Sequence, residues 1–322
     1  MARADLLVNL TKAAARGDQV LFRKTLEAIV AEERRKQHNV LANQLSEYLS
    51  TPNGKNGLKS LAPDDRVQHL LYETMPKRAL DDLVLPLDVK QSCMDIIEEY
   101  HRRDLLRSYG LEPRHRILLV GPPGNGKTSL AEAVAFQLGL PLYTVRYEGV
   151  IGSYLGETAL RLRRLFDYAA TMECVLFFDE FDTLGKERGD QDETGEIKRV
   201  VSSLLLQIDS LPSHVVVMTA TNHPELLDKA VWRRFQAKLS LPKPTDEQIV
   251  SWLRSFEMKH DSFGHNLQAL AKQLTGLSFS EIEDFAVGVL RRKILSMPSS
   301  NTRRIVDEQL MLLRAQYVPE EQ

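Results

Sequence analysis

The sequence predicts an α/β fold: a parallel five-stranded sheet with helices on both faces, a small helical unit before it and a helical lid after it. Three observations predict this. Short continuous apolar runs alternate with amphipathic stretches from about Leu83 to Leu241, proline-free helical spacing precedes them, and strand-like runs stop after Pro242 and Pro244. The resulting boundaries are 1–50 for the N-terminal helical unit, 51–82 for a linker, 83–241 for the large α/β subdomain and 242–322 for the lid.

From Ala4 to Leu49 there is no proline, and apolar residues recur at helical intervals. Leu6, Leu7 and Leu10 open one stripe, Leu21, Phe22, Leu26, Ile29 and Val30 continue it past Gly17, and Val40, Leu41, Leu45, Tyr48 and Leu49 make another. The stretch Thr51–Gly57 is dense in turn residues, and the mostly polar sequence from there to about Leu80 reads as a flexible or loosely packed connector. Arg116–Val120, Leu142–Tyr147, Val175–Asp179, Val215–Thr221 and Ala237–Leu241 are apolar enough to be strands buried on both faces. Ser129–Leu138, Leu160–Ala170 and Glu196–Ile208 separate them as helices, and Asp246–Glu257, Leu267–Leu274, Ser280–Leu295 and Thr302–Gln316 form the lid.

Lys and Arg total 42 against 44 Asp and Glu, a net charge of -2 that supplies no overall attraction for a polyanion and argues against nucleic acid as the partner. The two cysteines, Cys93 and Cys174, sit among apolar residues and read as buried core thiols of a protein in a reducing compartment. The eight histidines show no metal-ligand spacing. The chain start carries Asp5 and Asn9 within its first apolar stretch and resembles neither a signal peptide nor a spanning helix, so a cytoplasmic location is expected, with no membrane partner.

Gly121-Pro-Pro-Gly-Asn-Gly-Lys127-Thr128 follows a strand and opens a helix. Glycines let such a loop wrap so that backbone N–H groups point inward at phosphates, with the helix N-terminus adding partial positive charge. Pro122, Pro123, Gly124, Asn125, Gly126, Lys127, Thr128 and Ser129 are therefore the expected ATP contacts, with Lys127 reaching the β- and γ-phosphates and Thr128 ligating Mg2+. The strand Val175-Leu-Phe-Phe-Asp179-Glu180 delivers two carboxylates to the sheet edge where ligands bind in open α/β folds. Asp179 is expected to hold the magnesium shell and Glu180 to polarise the attacking water. Asp182 has a weaker claim and reads equally as a solvated turn residue.

Over roughly Leu80 to Leu295 these residues resemble the AAA family of P-loop ATPases. The resemblance implies that Asn222, ending Val216–Asn222, senses the γ-phosphate and helps orient water, and that Arg233 and Arg234 are arginine fingers reaching a neighbouring subunit's nucleotide. It implies that Tyr154, Leu155 and Gly156 form a substrate-gripping pore loop, with a second pore loop over Lys186–Thr194. Two departures stand out. Asn125 occupies a position where the family often has Thr, and Phe279 and Ser280 replace small residues of a lid segment near adenine, which puts the adenine contacts and nucleotide preference in question.

The implied activity is that of a Mg2+-dependent ATPase working as a homo-oligomeric ring, a hexamer by resemblance, that unfolds or remodels protein substrates. The chain carries no HExxH or GxSxG signature, so a proteolytic output would need a separate peptidase. The layout is similar to that of bacterial stand-alone AAA proteins paired with subtilisin-like peptidases. A nucleic-acid motor on the same engine, and a nucleotide-gated scaffold with little hydrolysis, are the alternative readings. The N-terminal helices read either as a recruiting element for substrate or as a packing appendage.

Overall fold

The computed structural model describes residues 24–25, 28–30, 69–146, 155–181, 203–227, 229–297 and 301–317. The chain separates into two compact units, Met1–Asp64 and Asp65–Gln322. In the first, residues 24–25 and 28–30 are helical. The sheet and the helices named with it belong to the second.

The strands are β1 (Leu71–Thr74), β2 (Arg116–Val120), β3 (Leu142–Val145), β4 (Cys174–Phe178), β5 (Val215–Thr221) and β6 (Ala237–Ser240), in the order β1-β3-β4-β5-β2-β6. β2 to β6 are mutually parallel, as expected. The expected five-stranded sheet is corrected by a sixth strand: β1 pairs antiparallel with β3, Leu71 facing Val145 and Thr74 facing Leu142. It lies within residues read as linker. Only Leu71 of its four residues is buried, so this edge strand leaves no alternating pattern to detect.

All five residues of β4 and all seven of β5 are buried, which is why they read as unbroken apolar runs. Successive side chains still face opposite layers. Phe177 joins a core with Ile96 of α1 (Leu87–His101) and Leu130 and Val134 of α3 (Lys127–Leu138). Phe178 joins the other layer and stacks on Phe166 of α4 (Leu155–Ala169) at 6.0 Å between ring centroids. Each such burial is worth about 1.5–3 kcal/mol, enough to fix the strand centrally and deliver the residues after it to a defined point.

Several helices differ from expectation. α1 and the short α2 (Arg103–Ser108) are additional to those read from periodicity. α4 begins at Leu155 instead of Leu160, placing Leu155 and Gly156 in its first turn. α5 is described over 203–210, agreeing with the helix expected over Glu196–Ile208 in the part that is described, and α6 (Lys229–Arg234) carries both candidate finger arginines. Tyr154, Asp182 and the loop 186–194 lie outside the described residues.

The lid comprises α7 (Asp246–Lys259), α8 (Leu267–Leu274), α9 (Phe279–Leu295) and α10 (Thr302–Tyr317), around a core that includes Leu253, Phe263, Leu274 and Phe285. α7 and α9 each start with a reciprocal capping box, Thr245 with Gln248 and Ser278 with Glu281, so their orphan N–H groups are satisfied locally.

Candidate functional site

β4, β5 and β2 are neighbours in the sheet, so their carboxyl ends open at one place. Val120 pairs with Thr221 and Phe178 with Thr219, which aligns the loop after β2, the carboxylates after β4 and Asn222 after β5. Parallel strands with a change in strand order generate this crevice in open α/β sheets.

The loop after β2 turns on Gly121, where a Cβ would run into the carbonyl oxygen of Leu241. Lys127, the first residue of α3, is buried, and its ammonium donates to the carbonyls of Gly121 at 2.7 Å and Pro122 at 3.0 Å. Its third partner is Asn222 Oδ1, at 2.6 Å. The ammonium is thus held inside the turn of the loop, where a β- or γ-phosphate would meet it. The Thr128 hydroxyl donates to Asp179 Oδ2 at 2.7 Å. This hydroxyl–carboxylate pair is a hard-oxygen donor set of the kind magnesium takes when it keeps most of its waters and binds phosphate oxygens.

Glu180 has φ of 48°, the only positive φ at a non-glycine residue among the described residues. Such backbone costs on the order of 1–3 kcal/mol and persists where its surroundings over-determine it. Here the Glu180 N–H donates to Asp179 Oδ1 at 3.0 Å and the next N–H, of Phe181, to the Ala220 carbonyl at 2.8 Å. The turn lets both carboxylates line one cleft.

That cleft has a volume of about 840 Å³ and is lined by Pro123 to Ser129, Asp179, Glu180 and Asn222 from the sheet side. The lid closes another wall with Trp252, Phe256, Phe279 and Ser280, and Leu83, Val84 and Leu85 supply an apolar strip. Trp252 and Phe256 stack at 5.4 Å between centroids, giving the lid wall an aromatic face. The two sequence departures meet directly: the Phe279 N–H donates to Asn125 Oδ1 at 3.3 Å, and the Ser280 N–H donates to the Gly124 carbonyl at 2.9 Å. At Gly124, φ is +75° and a Cβ would lie 2.7 Å from Ser278 Oγ. The lid therefore rests on the phosphate loop itself.

The arginines are elsewhere. Arg234 pairs with Asp209, which also accepts from Arg116 Nη1 at 2.7 Å. Burial and the nearby Arg234 charge hold the Arg116 pKa below its ordinary value. Arg116 begins β2 and Gly121 follows its end, so at about 3.3 Å per residue the pair sits roughly 16 Å from the phosphate loop. Neither Arg233 nor Arg234 lines the cleft.

Sequence reading missed Asp209, the Leu83–Leu85 strip, Arg78 and the aromatic lid wall. The strip carried a signal in its apolar residues just before a helix. The others depend on contacts between distant segments.

Residues 117–243 match the family described as "ATPase family associated with various cellular activities (AAA)". The chain is 36% identical over 301 residues to an uncharacterized AAA family ATPase, y4kL, of Sinorhizobium fredii, covering 92% of this chain and 90% of that protein. It is 30% identical over 250 residues to a putative 26S proteasome regulatory subunit homolog of Methanothermobacter thermautotrophicus, covering 76% of this chain and 65% of that one. It is 36% identical over 209 residues to the ATP-dependent zinc metalloprotease FtsH of Methylococcus capsulatus, covering 62% of this chain and 32% of the relative. The chain spans less than two thirds of the length of the latter two. Among the described residues no helix is long and apolar enough to cross a membrane. A short loop motif cannot sustain 36% identity across nine-tenths of two proteins, and the chain belongs to the AAA family of ATPases.

Proposed function

We propose that this ATPase is the motor subunit of a protein remodeller or unfoldase, assembled as a ring of identical subunits, six by resemblance to the family. The observation that carries the proposal is the separation of Arg234 and its Asp209 partner from the chain's own phosphate loop along the length of β2. A cation so placed can serve phosphoryl transfer only on a second copy. That protein is the substrate draws support from the relatives, one named a proteasome regulatory subunit homolog and another an ATP-dependent metalloprotease.

In this reading the loop N–H groups and Lys127 bind the triphosphate of ATP, and Thr128 and Asp179 hold Mg2+. The metal, when bound, neutralises charge developing on the transferred phosphoryl oxygens. Glu180, presented by its strained turn, accepts the proton of the attacking water. Asn222 orients that water with the amide end that does not face Lys127. Arg233 and Arg234 of the neighbour complete the charge stabilisation, a contribution on the order of 10³–10⁵ in rate. Tyr154, with Leu155 and Gly156 at the start of α4, grips the substrate, and α4 transmits the movement. Residues 1–50 recruit substrate or a partner, 83–241 form the engine and 242–322 the lid. A separate peptidase is the further partner proposed, in a cytoplasmic setting that suits the free, buried Cys93 and Cys174.

Mixing tests the arrangement. Lys127→Ala lacks the phosphate contact but keeps the arginines; Arg233→Ala/Arg234→Ala keeps the contact and lacks the arginines. Each alone should be nearly inactive, and the mixture should regain turnover that rises with total concentration and responds to an unfolded protein. A mixture as silent as its parts, beside a wild type whose specific activity ignores concentration, would remove the in-trans assignment.

A further inference from the structure

The segment before the apolar strip also faces the cleft. Lys77, Arg78 and Asp82 line it together with Leu83, Val84 and Leu85, so a single stretch runs along one wall with its cations first and its apolar residues last. Two hydrogen bonds fix the cationic end against the first turns of α3. The Lys77 N–H donates to Glu132 Oε1 at 3.1 Å, and Arg78 Nη1 donates to Ser129 Oγ at 2.6 Å. Ser129 directly follows Thr128, so the guanidinium of Arg78 sits beside the helix N-terminus that receives phosphate.

We propose that Arg78 is a nucleotide-binding residue supplied from the same chain, contacting the α- and β-phosphate side of the polyphosphate. The inference rests on the cleft being the nucleotide site. Lys127 and Thr128 serve the β/γ end and the metal, and the loop and first-turn amides serve the α/β end. Arg78 lies on this second side, one residue further into the helix. Its guanidinium presents several donors in a planar fork, and among the described residues one is spent on Ser129. Such a fork matches two phosphate oxygens at once, which an ammonium cannot do.

Charge in the cleft points the same way. Its lining holds the carboxylates of Asp82, Glu132, Asp179, Glu180 and Glu283, against Lys77, Arg78, Lys127 and Lys259 as lysine and arginine cations. Beside Lys127, the loop N–H groups and the Mg2+ that Thr128 and Asp179 would hold, Arg78 is the cation of this lining anchored at the loop's helix. Because Ser129 accepts from Arg78, the hydroxyl's own hydrogen remains to be donated, so ligand binding need not break the anchoring contact.

The test is ADP and ATP affinity of the full chain by calorimetry, for wild type, Arg78→Gln and Arg78→Lys, with the melting temperature of each nucleotide-free protein. Arg78→Gln should weaken ADP and ATP by the same factor, about tenfold or more as expected for a charge-assisted phosphate contact. Arg78→Lys should recover part of that loss through its charge and stay weaker than wild type, because it lacks the fork. Arg78 is exposed, so the melting temperature should stay put. Affinities within twofold of wild type in Arg78→Gln would overturn the assignment, and so would a loss confined to ATP, which would mark a γ-phosphate sensor. Equal weakening in the glutamine and lysine variants would show that packing, not charge, is responsible, and would overturn it too. A wild type that bound no ADP would fail the nucleotide site as a whole, an outcome distinct from an unaffected Arg78→Gln.

Discussion

Lys127 Nζ donates to Asn222 Oδ1 at 2.6 Å, joining the first residue of α3 to the residue that follows β5. An ammonium has only donors, so the oxygen of the Asn222 amide must face it and the NH2 end must face away. The lysine thereby sets the direction in which Asn222 can donate.

Asn222→Asp and Asn222→Ala separate orientation from charge. The alanine variant should lower kcat by on the order of 10²-fold, the usual cost of losing one preorganised donor at a charged transition state. Its ADP affinity should change far less, because Lys127 retains its two carbonyl partners. The aspartate variant keeps the lysine contact but loses the NH2 donor, so its kcat should fall as far. Steady-state turnover together with ADP titration checks both.

Gly124 and Gly126 make a matched pair. Both have positive φ, but a Cβ at Gly124 would strike Ser278 Oγ whereas one at Gly126 meets nothing within 4 Å. Without nucleotide, Gly126→Ala should cost only backbone strain, about 1 kcal/mol. Gly124→Ala pays similar strain and also pushes the lid off the loop, so nucleotide affinity should fall at least tenfold further. Denaturant midpoints and ADP titrations on both variants measure the difference.

Asp209→Asn leaves Arg116 and Arg234 side by side with no anion between them. Hydrogen bonds to charged groups contribute about 1.5–3 kcal/mol, so the variant should lose stability in that range. If Arg234 acts on a neighbour, turnover should fall as well, while ADP affinity stays at the wild-type value. Urea unfolding and concentration-dependent ATPase assays read the two effects separately.

Burial pushes the thiols of Cys93 and Cys174 each up to about 12 from 9.0. Above pH 9 an unfolded chain has released these protons while the native chain retains them. The thiols' contribution is therefore complete below pH 9 and is lost as pH rises from 9 towards 12. Cys93→Ala/Cys174→Ala should show a shallower alkaline fall in urea midpoint than wild type, though burial raises Tyr100 to about 12 and leaves a residual slope. Native thiols should also resist alkylation at neutral pH.

How much was legible in the sequence follows from how locally each feature is encoded. β4 and β5 announce themselves because both faces are buried, and Gly121 to Thr128 is recognisable because loop, lysine and helix start are contiguous. β1 was missed since a four-residue edge strand with one buried residue resembles a loop. The contact of Phe279 with Asn125 spans 154 residues, and Arg78 reaches Ser129 across 51. The substitutions in the lid were visible as departures, but that one rests upon another emerges only when α9 is set down on the phosphate loop.

β2 has a mechanical side to it. Paired on both edges, by β5 and β6, it behaves as a short inextensible rod, with the grip for one nucleotide at its tip and the tether of Arg234 at its foot. A displacement of the tip on loading would be passed to the foot, since the five residues of the strand, Arg116 to Val120, include no glycine or proline. If Arg234 acts on a neighbouring subunit, as proposed, each protomer would be a lever whose load is felt at the place where it helps its neighbour, and timing around the assembly would need no messenger longer than one strand.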